Sequence, residues 1–328
     1  MTNFPRRIEI REEGPREGFQ IEPPGFTVAQ RAELVEALAG TGLRQIQVAS
    51  FVNPARVPQM ADAPELFRAI RKRPGVRYTA LWLNANGFQR AASVPEVDLE
   101  GSLYFYATDA FCRMNNNASA EAHAEAQREW VQRYHERGLP VETAYLMTAF
   151  GCNFEGEVPL PRLRQALQQM ARVQDETSVR LQRVVLADTV GWANPESVRE
   201  RVGLAREMFP DARIGLHLHD TRGLGLANAY AALKEGVDLF DSSVAGLGGC
   251  PFSGHVDHAA AGNICTEDLV FLCHELNIET GVDLERLVEA ARLAQRIIGR
   301  RLNGRLMHSG SLAALRAAKN GSPTQETP

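Results

Sequence analysis

Lysine is nearly absent from this chain: Lys72, Lys234 and Lys319 stand against 33 arginines in 328 residues. Paired cysteines are also missing. The five cysteines, Cys112, Cys152, Cys250, Cys265 and Cys273, are odd in number and form no C-x-x-C, which excludes a disulfide framework and a zinc ribbon. No apolar run approaches the length of a membrane span. The arginines are scattered and the net charge is -4, so the clustered basic patch of a nucleic-acid binder is lacking. The opening "MTNFPRRIEI" has neither an apolar signal core nor a long basic, serine-rich leader, and the expected location is the cytoplasm.

What is present is a strict alternation. Strand-like runs occur at 7–14, 44–52, 77–84, 101–108, 141–150, 181–188, 213–220 and 237–246, each rich in β-branched, aromatic or leucine residues and bounded by turn signals. Between them lie helical patterns at 27–42, 86–94, 119–140, 160–178, 194–210 and 225–236, with two further helices near 266–277 and 283–299. Eight strand–helix units predict an α/β fold of the (β/α)8 TIM-barrel type with additional C-terminal helices. A doubly wound sheet would carry a glycine-rich nucleotide turn after its first strand, and "EEGPREGFQ" is not one. Residues 1–310 are expected to form one barrel domain, and 311–328 a flexible tail.

In such a barrel the functional groups sit at the C-terminal ends of the strands. Arg16, Glu17 and Gln20 follow the first strand, Gln47 and Ser50 the second, Thr108 and Asp109 the fourth, Asp188 and Thr189 the sixth. The seventh ends in "GLHLHDTRGLG", residues 215–225. Residues i and i+2 of a strand share a face, so His217 and His219 can both face the barrel mouth and meet one ion. An isolated His-x-His is weak, and a core histidine beside a surface histidine is the commoner outcome. Placement at a strand end, with a carboxylate expected from the first strand, favours the ion. Two imidazoles with oxygen ligands suit a divalent cation such as Mg²⁺ or Mn²⁺, with Zn²⁺ also compatible.

A Schiff-base aldolase needs a lysine facing the barrel interior. Lys72 and Lys234 fall in helical patterns and Lys319 in the tail, so carbon–carbon chemistry here should be metal-assisted. Cys250, in "AGLGGCP", is flanked by glycines that permit unusual backbone angles and close approach of a ligand. It is the candidate general acid or base. Cys265 and Cys273 read as buried structural residues.

These motifs resemble the 3-hydroxy-3-methylglutaryl-CoA lyase family of metal-dependent, pyruvate-carboxyltransferase-like TIM barrels. The resemblance covers about residues 7–300. It is strongest in "HLHDTRGLGLANAYAALKEGVDLFDSSVAGLGGCPF" and "AAGNICTEDLVFL", and "EEGPREGFQIE" is similar to the family's "VGPRDGLQNE". The resemblance implies His217, His219, Asn263 and Glu17 as metal ligands, Arg16 as the group that stabilises an enolate, Cys250 as the acid that protonates it, and Asp188 as a polar active-site residue. It implies retro-Claisen cleavage of an acyl-CoA substrate to a smaller acyl-CoA and a ketone or keto acid. No nucleic-acid or membrane partner is expected, and the helices after the eighth strand offer a surface for a homodimer.

The chain departs from the family pattern in several places. Glu17 stands where the family has aspartate, Gln47 where it has glutamate, and Pro23 where it has a basic residue. The loop from Cys250 to Asn263 is longer and holds His255, Asp257 and His258. Changes at two carboxylate positions point to an altered acyl group. Two competing readings are a condensing synthase acting on an acyl-CoA and a keto acid, and a catalytically silent metal- or acyl-CoA-binding protein.

Overall fold

The computed structural model describes residues 4–249, 262–312 and 316. Cys250, His255, Asp257, His258 and most of the 311–328 tail lie outside the described residues. β1 (Glu9–Glu12) runs into α1 (Gly14–Ile21) and α2 (Val28–Ala39); β2 (Gln45–Ser50) into α3 (Ala63–Ala69); β3 (Arg77–Leu81) into α4 (Ala85–Ala92). β4 (Gly101–Tyr106) leads to α5 (Asp109–Asn116) and α6 (Ala120–His135), and β5 (Val141–Met147) through the short pair β6 (Gly151–Cys152) and β7 (Gly156–Glu157) to α7 (Leu160–Thr177). β8 (Arg183–Asp188) precedes α8 (Pro195–Met208), and β9 (Arg213–Leu218) precedes α9 (Gly225–Lys234). After β10 (Leu239–Ser242) come α10 (Thr266–Glu275), α11 (Leu284–Ile298) and α12 (Leu306–Ser309).

The eight long strands pair in the order β3-β2-β1-β10-β9-β8-β5-β4, and every ladder between them is parallel. This is the expected TIM barrel, with one seam. Among the described residues β3 and β4 share no ladder. Unpaired backbone groups inside a protein need other partners, and α6 supplies them. The Tyr104 N–H donates to Gln127 Oε1 at 3.0 Å, and the Tyr134 hydroxyl donates to the Ser102 carbonyl at 3.3 Å. The Trp82 indole N–H closes the bridge from the β3 side on the Tyr134 hydroxyl at 2.8 Å. At the N-terminal end of the seam the Asp98 N–H donates to the Tyr78 carbonyl at 2.9 Å.

Period-two alternation divides the strand residues between the two sides of the wall. Ile10, Ile46, Val48, Ile214, Leu216, Leu218 and Phe240 belong to the large core shared with the helices. The other parity fills the interior: Tyr145, Val185 and Leu239 pack together with Tyr104 and Met147 against them. The Tyr104 and Tyr145 rings stack at 5.3 Å, and buried Arg11 donates to the Tyr145 hydroxyl at 3.2 Å. Gly215 keeps this layer closed, since a Cβ there would lie 2.8 Å from the Leu239 side chain.

Three local expectations change. The strand expected over 7–14 stops at Glu12, and Arg16, Glu17 and Gln20 lie on α1. The physical reason is Pro15, which lacks a ladder N–H but is favoured in the first turn of a helix. Asp109 does not end a strand region but starts α5. Lys72 is in the loop after α3, with its ammonium 2.8 Å from Asp98, so it remains outside the barrel interior. The seam carries a testable consequence. Gln127→Leu leaves the part-buried Tyr104 N–H without its acceptor and should lower the unfolding free energy by about 1 kcal/mol, read from urea unfolding followed by circular dichroism.

Candidate functional site

The cavity at the C-terminal mouth of the barrel has a volume of about 160 Å³. Glu13, Arg16, Glu17, Gln20, Gln47, Thr189, His217, His219 and Asp241 supply its polar lining, and Ile21, Leu81, Leu83, Phe111 and Met147 its apolar side. Tyr104, Tyr106 and Tyr145 also face it.

β9 delivers the two imidazoles. His217 and His219 are buried, with their Nε2 atoms 3.1 Å apart. His217 Nδ1 faces Asp241 Oδ2 at 3.2 Å, and an Nδ1–H donated there leaves the Nε2 lone pair for an ion. Glu17 Oε1 lies 3.7 Å from His217 Nε2. Asn263 arrives from 44 residues further on because segment 262–264 continues the ladder beyond β9. Asp220 N–H donates to the Gly262 carbonyl, and Ile264 N–H to the Leu218 carbonyl, each at 3.0 Å. That pairing sets Asn263 opposite His219. The Asn263 amide N–H donates to Glu17 Oε2, and its Oδ1 is buried with no hydrogen-bond partner. Glu17, His217 and His219 present donor atoms within 4.8 Å of one another. Two imidazole nitrogens, a carboxylate and an orphaned amide oxygen fit a hard or borderline divalent cation.

The electrostatics favour the same ion. Burial disfavours charge on His217, but the Glu17, Asp241 and Glu13 carboxylates outweigh it and raise its pKa to about 9. Burial and the neighbouring His217 hold His219 down at about 3. For Glu17 burial is overcome by Arg16 and both histidines, and its pKa falls to about 2. A proton on His217 therefore occupies the place of part of the cation's charge.

Arg16 is held on three sides from the first turn of α1. Its Nη1 lies 2.8 Å from Glu17 Oε1, its Nη2 donates to Glu13 Oε2, and its Nε donates to Gln47 Oε1. Gln20 Oε1 accepts from the Ser50 hydroxyl at 2.9 Å, which ties α1 to β2. Gly248, at φ +93°, carries the "AGLGG" segment over this face. A Cβ there would fall 2.6 Å from the Glu17 Cβ, so the approach requires glycine.

The structure thus brings Arg16, Glu17, Gln47, His217, His219 and Asn263 together. Asp188 sits at the end of β8 with its Oδ1 accepting from the Trp192 N–H at 2.6 Å and its Oδ2 buried without a hydrogen-bond partner; burial raises its pKa to about 6, against the pull of His217. Asp220 is a cap, accepting from the Gly225 N–H at 2.7 Å, and Asp109 accepts from the Ala120 N–H at 2.8 Å. Cys250 lies outside the described residues, and Gly249 beside it lines the cavity. Cys112, Cys152, Cys265 and Cys273 are free and buried. Sequence reasoning missed Glu13 and Asp241. The alternation Glu9, Arg11 on β1, continued one residue past the strand, would have turned Glu13 inward, and Asp241 has the same parity as Leu239 on β10.

Two outcomes follow from this geometry. Mn²⁺ binding should release the His217 proton, so affinity should fall by about tenfold per unit as the pH drops below about 9. Titration calorimetry in buffers of different ionisation enthalpy measures that release. Asp241→Asn should weaken Mn²⁺ binding by about 10–100-fold, read by the loss of the free-ion paramagnetic resonance signal.

A family model described as HMGL-like matches residues 7–294. The chain is 37% identical over 304 residues to the 3-hydroxy-3-isohexenylglutaryl-CoA/hydroxy-methylglutaryl-CoA lyase of Pseudomonas aeruginosa, covering 91% of this chain and 95% of that one. It is 35% identical over 305 residues to the mitochondrial hydroxymethylglutaryl-CoA lyase of Gallus gallus, covering 92% and 97%. The solved structure of an HMG-CoA lyase from Acinetobacter baumannii, in complex with coenzyme A and 3-methylmalate, superposes with a TM-score of 0.82 at 30% identity, covering 100% and 99%. The shared pattern runs from the first strand to the last long helix, and on it the chain belongs to the HMGL-like family.

Proposed function

We propose that this protein is a divalent-cation-dependent carbon–carbon lyase that cleaves a 3-hydroxy-3-methylglutaryl-CoA-type thioester. The observation that carries the reading is the convergence of Glu17, His217, His219 and the orphaned Asn263 Oδ1 beside the Arg16 guanidinium. A cation held by the first four residues, Mg²⁺ or Mn²⁺ by donor type, would polarise the tertiary hydroxyl and a neighbouring oxygen of the substrate.

The hydroxyl loses its proton to a base, and the bond between C2 and C3 breaks. The electron pair of that bond goes to the thioester as an enolate, and C3 leaves as a ketone. Arg16 is fixed before the reaction starts, so its charge meets the developing enolate oxygen without reorganisation. Protonation of the enolate carbon by Cys250 completes the smaller acyl-CoA and leaves a thiolate.

The cavity also bears on the acyl group. The same cavity is lined by Leu81, Leu83, Phe111 and Met147 with three tyrosines and Asn115. Such a wall accepts an apolar C3 substituent and offers no guanidinium or ammonium to a second carboxylate. We therefore assign the chain a preference for thioesters whose C3 substituent is larger than methyl. One curated relative carries two substrates in its name, one with an isohexenyl group and one with methyl.

The test is turnover of a series of 3-hydroxy-3-alkylglutaryl-CoA esters by the full-length protein with Mg²⁺ or Mn²⁺ and with chelator. We expect ketone and acyl-CoA products only with the ion, and a higher kcat/KM for a longer alkyl group than for methyl. Cys250→Ser should lower kcat by about 10²-fold or more. No cleavage of any ester with either ion would overturn the lyase reading, and equal rates across the series would overturn the preference.

A further inference from the structure

Arg16 and the metal ligand Glu17 are adjacent in sequence and paired in space, with Nη1 2.8 Å from Oε1. This pairing is a hazard for the site. An arginine with no other acceptor closes on a carboxylate through two parallel N–H bonds. Closed in that way, Arg16 would occupy the oxygens that a cation needs, and its own N–H groups would be lost to the substrate. Two further acceptors prevent this closure. Gln47 takes the Nε–H. Glu13 takes an Nη2–H from a position that is 3% exposed, the N-cap of α1 just past the end of β1. The guanidinium makes hydrogen bonds from Nε and Nη2, while Nη1 makes only an ion-pair contact with Glu17, so three of its five N–H groups remain, two on Nη1 and one on Nη2.

Glu13 is the only ionisable member of that restraining pair. Gln47 contributes an oxygen without charge, at the place where the related pattern carries glutamate. The motif "VGPRDGLQNE" has an apolar residue where this chain has Glu13. The carboxylate that the resemblance implies at position 47 on β2 is thus absent here, and one stands at Glu13, just past β1.

We propose that Glu13 is a positioning residue which, with Gln47, draws Arg16 away from Glu17, so that Glu17 is free for the cation and Arg16 is free for the substrate. The inference rests on the metal-assisted reading above and adds to it a residue and a reason. It also accounts for the tolerance of glutamine at position 47: the carboxyl group that fixes the guanidinium stands just past the neighbouring strand.

The experiment compares Glu13→Val, Glu13→Gln, Gln47→Glu and the double variant Glu13→Val/Gln47→Glu in the full-length protein. The readouts are Mn²⁺ affinity by paramagnetic resonance, kcat and KM on the best thioester of the series, and thermal melting. Glu13→Val should weaken Mn²⁺ binding and lower kcat, each by about 10–100-fold, with KM changed much less. Adding Gln47→Glu to it should restore most of both losses, which a residue needed only for packing would not show.

Unchanged Mn²⁺ affinity in Glu13→Val, or losses that Gln47→Glu does not repair, overturns the proposal. If Glu13→Val does not fold, the near-isosteric Glu13→Gln decides. It should weaken Mn²⁺ binding in the same direction, and wild-type affinity overturns the proposal. The Mn²⁺ readout stands apart from turnover. A protein that binds Mn²⁺ in this pattern but cleaves no ester refutes the lyase reading and leaves the role of Glu13 in place.

Discussion

The structure turns on an imbalance of charge inside a dry barrel mouth. Glu13, Glu17 and Asp241 are buried there with one arginine. Formally the carboxylates outnumber the guanidinium at the mouth, although burial pushes the Glu13 carboxyl up to about 7 and the buried Arg11 guanidinium also bears on Asp241. Uncompensated burial of charge is costly, and the protein side of the compensation is visible in His217, which takes up a proton readily because the acids surround it. The neutral His219 beside it and the unpartnered Asn263 Oδ1 complete a donor set that proton uptake alone does not satisfy.

The barrel makes this arrangement possible by separating two tasks along each strand. Residues of one parity bury apolar surface against the helices, and residues of the other parity face the interior. Low in the barrel they are the stacked tyrosines, Val185 and Leu239. Near the mouth they are Glu13, Gln47, His217 and Asp241. The apolar layer beneath raises the strength of every electrostatic contact above it by excluding water. The seam between β3 and β4 would let water reach that layer, and α6 closes it with Gln127 and Tyr134.

Departures from the related pattern form a connected set when placed in three dimensions. Glu17, Gln47 and Glu13 all contact the same guanidinium. A change in the length of one acid, the neutralisation of a second and the appearance of a third therefore alter one object, the orientation of Arg16. On the proposed reading, the changes at positions 17 and 47 act together rather than alone. By contrast Asp220 accepts from a backbone N–H of its own loop, and Asp188 gives one oxygen to the Trp192 N–H while its other oxygen is buried without a hydrogen-bond partner.

The sequence by itself determined the barrel, because eight period-two apolar runs separated by helical patterns admit few other packings. It also determined the pairing of His217 with His219, since i and i+2 share a strand face whatever the tertiary context. The ends of elements were less legible. Pro15 turned the expected strand end into α1, and the short helix α5 carries no long apolar period to announce it. Only the tertiary structure decided which acids point into the cavity and which cap loops, because both kinds occupy strand ends and differ in side-chain direction alone. It likewise decided the placing of Asn263, which reaches His219 through a two-residue continuation of the β9 ladder, and the grip on Arg16. Those contacts join residues 31 and 246 positions apart, and local spacing holds no information about pairs that only a closed barrel brings together.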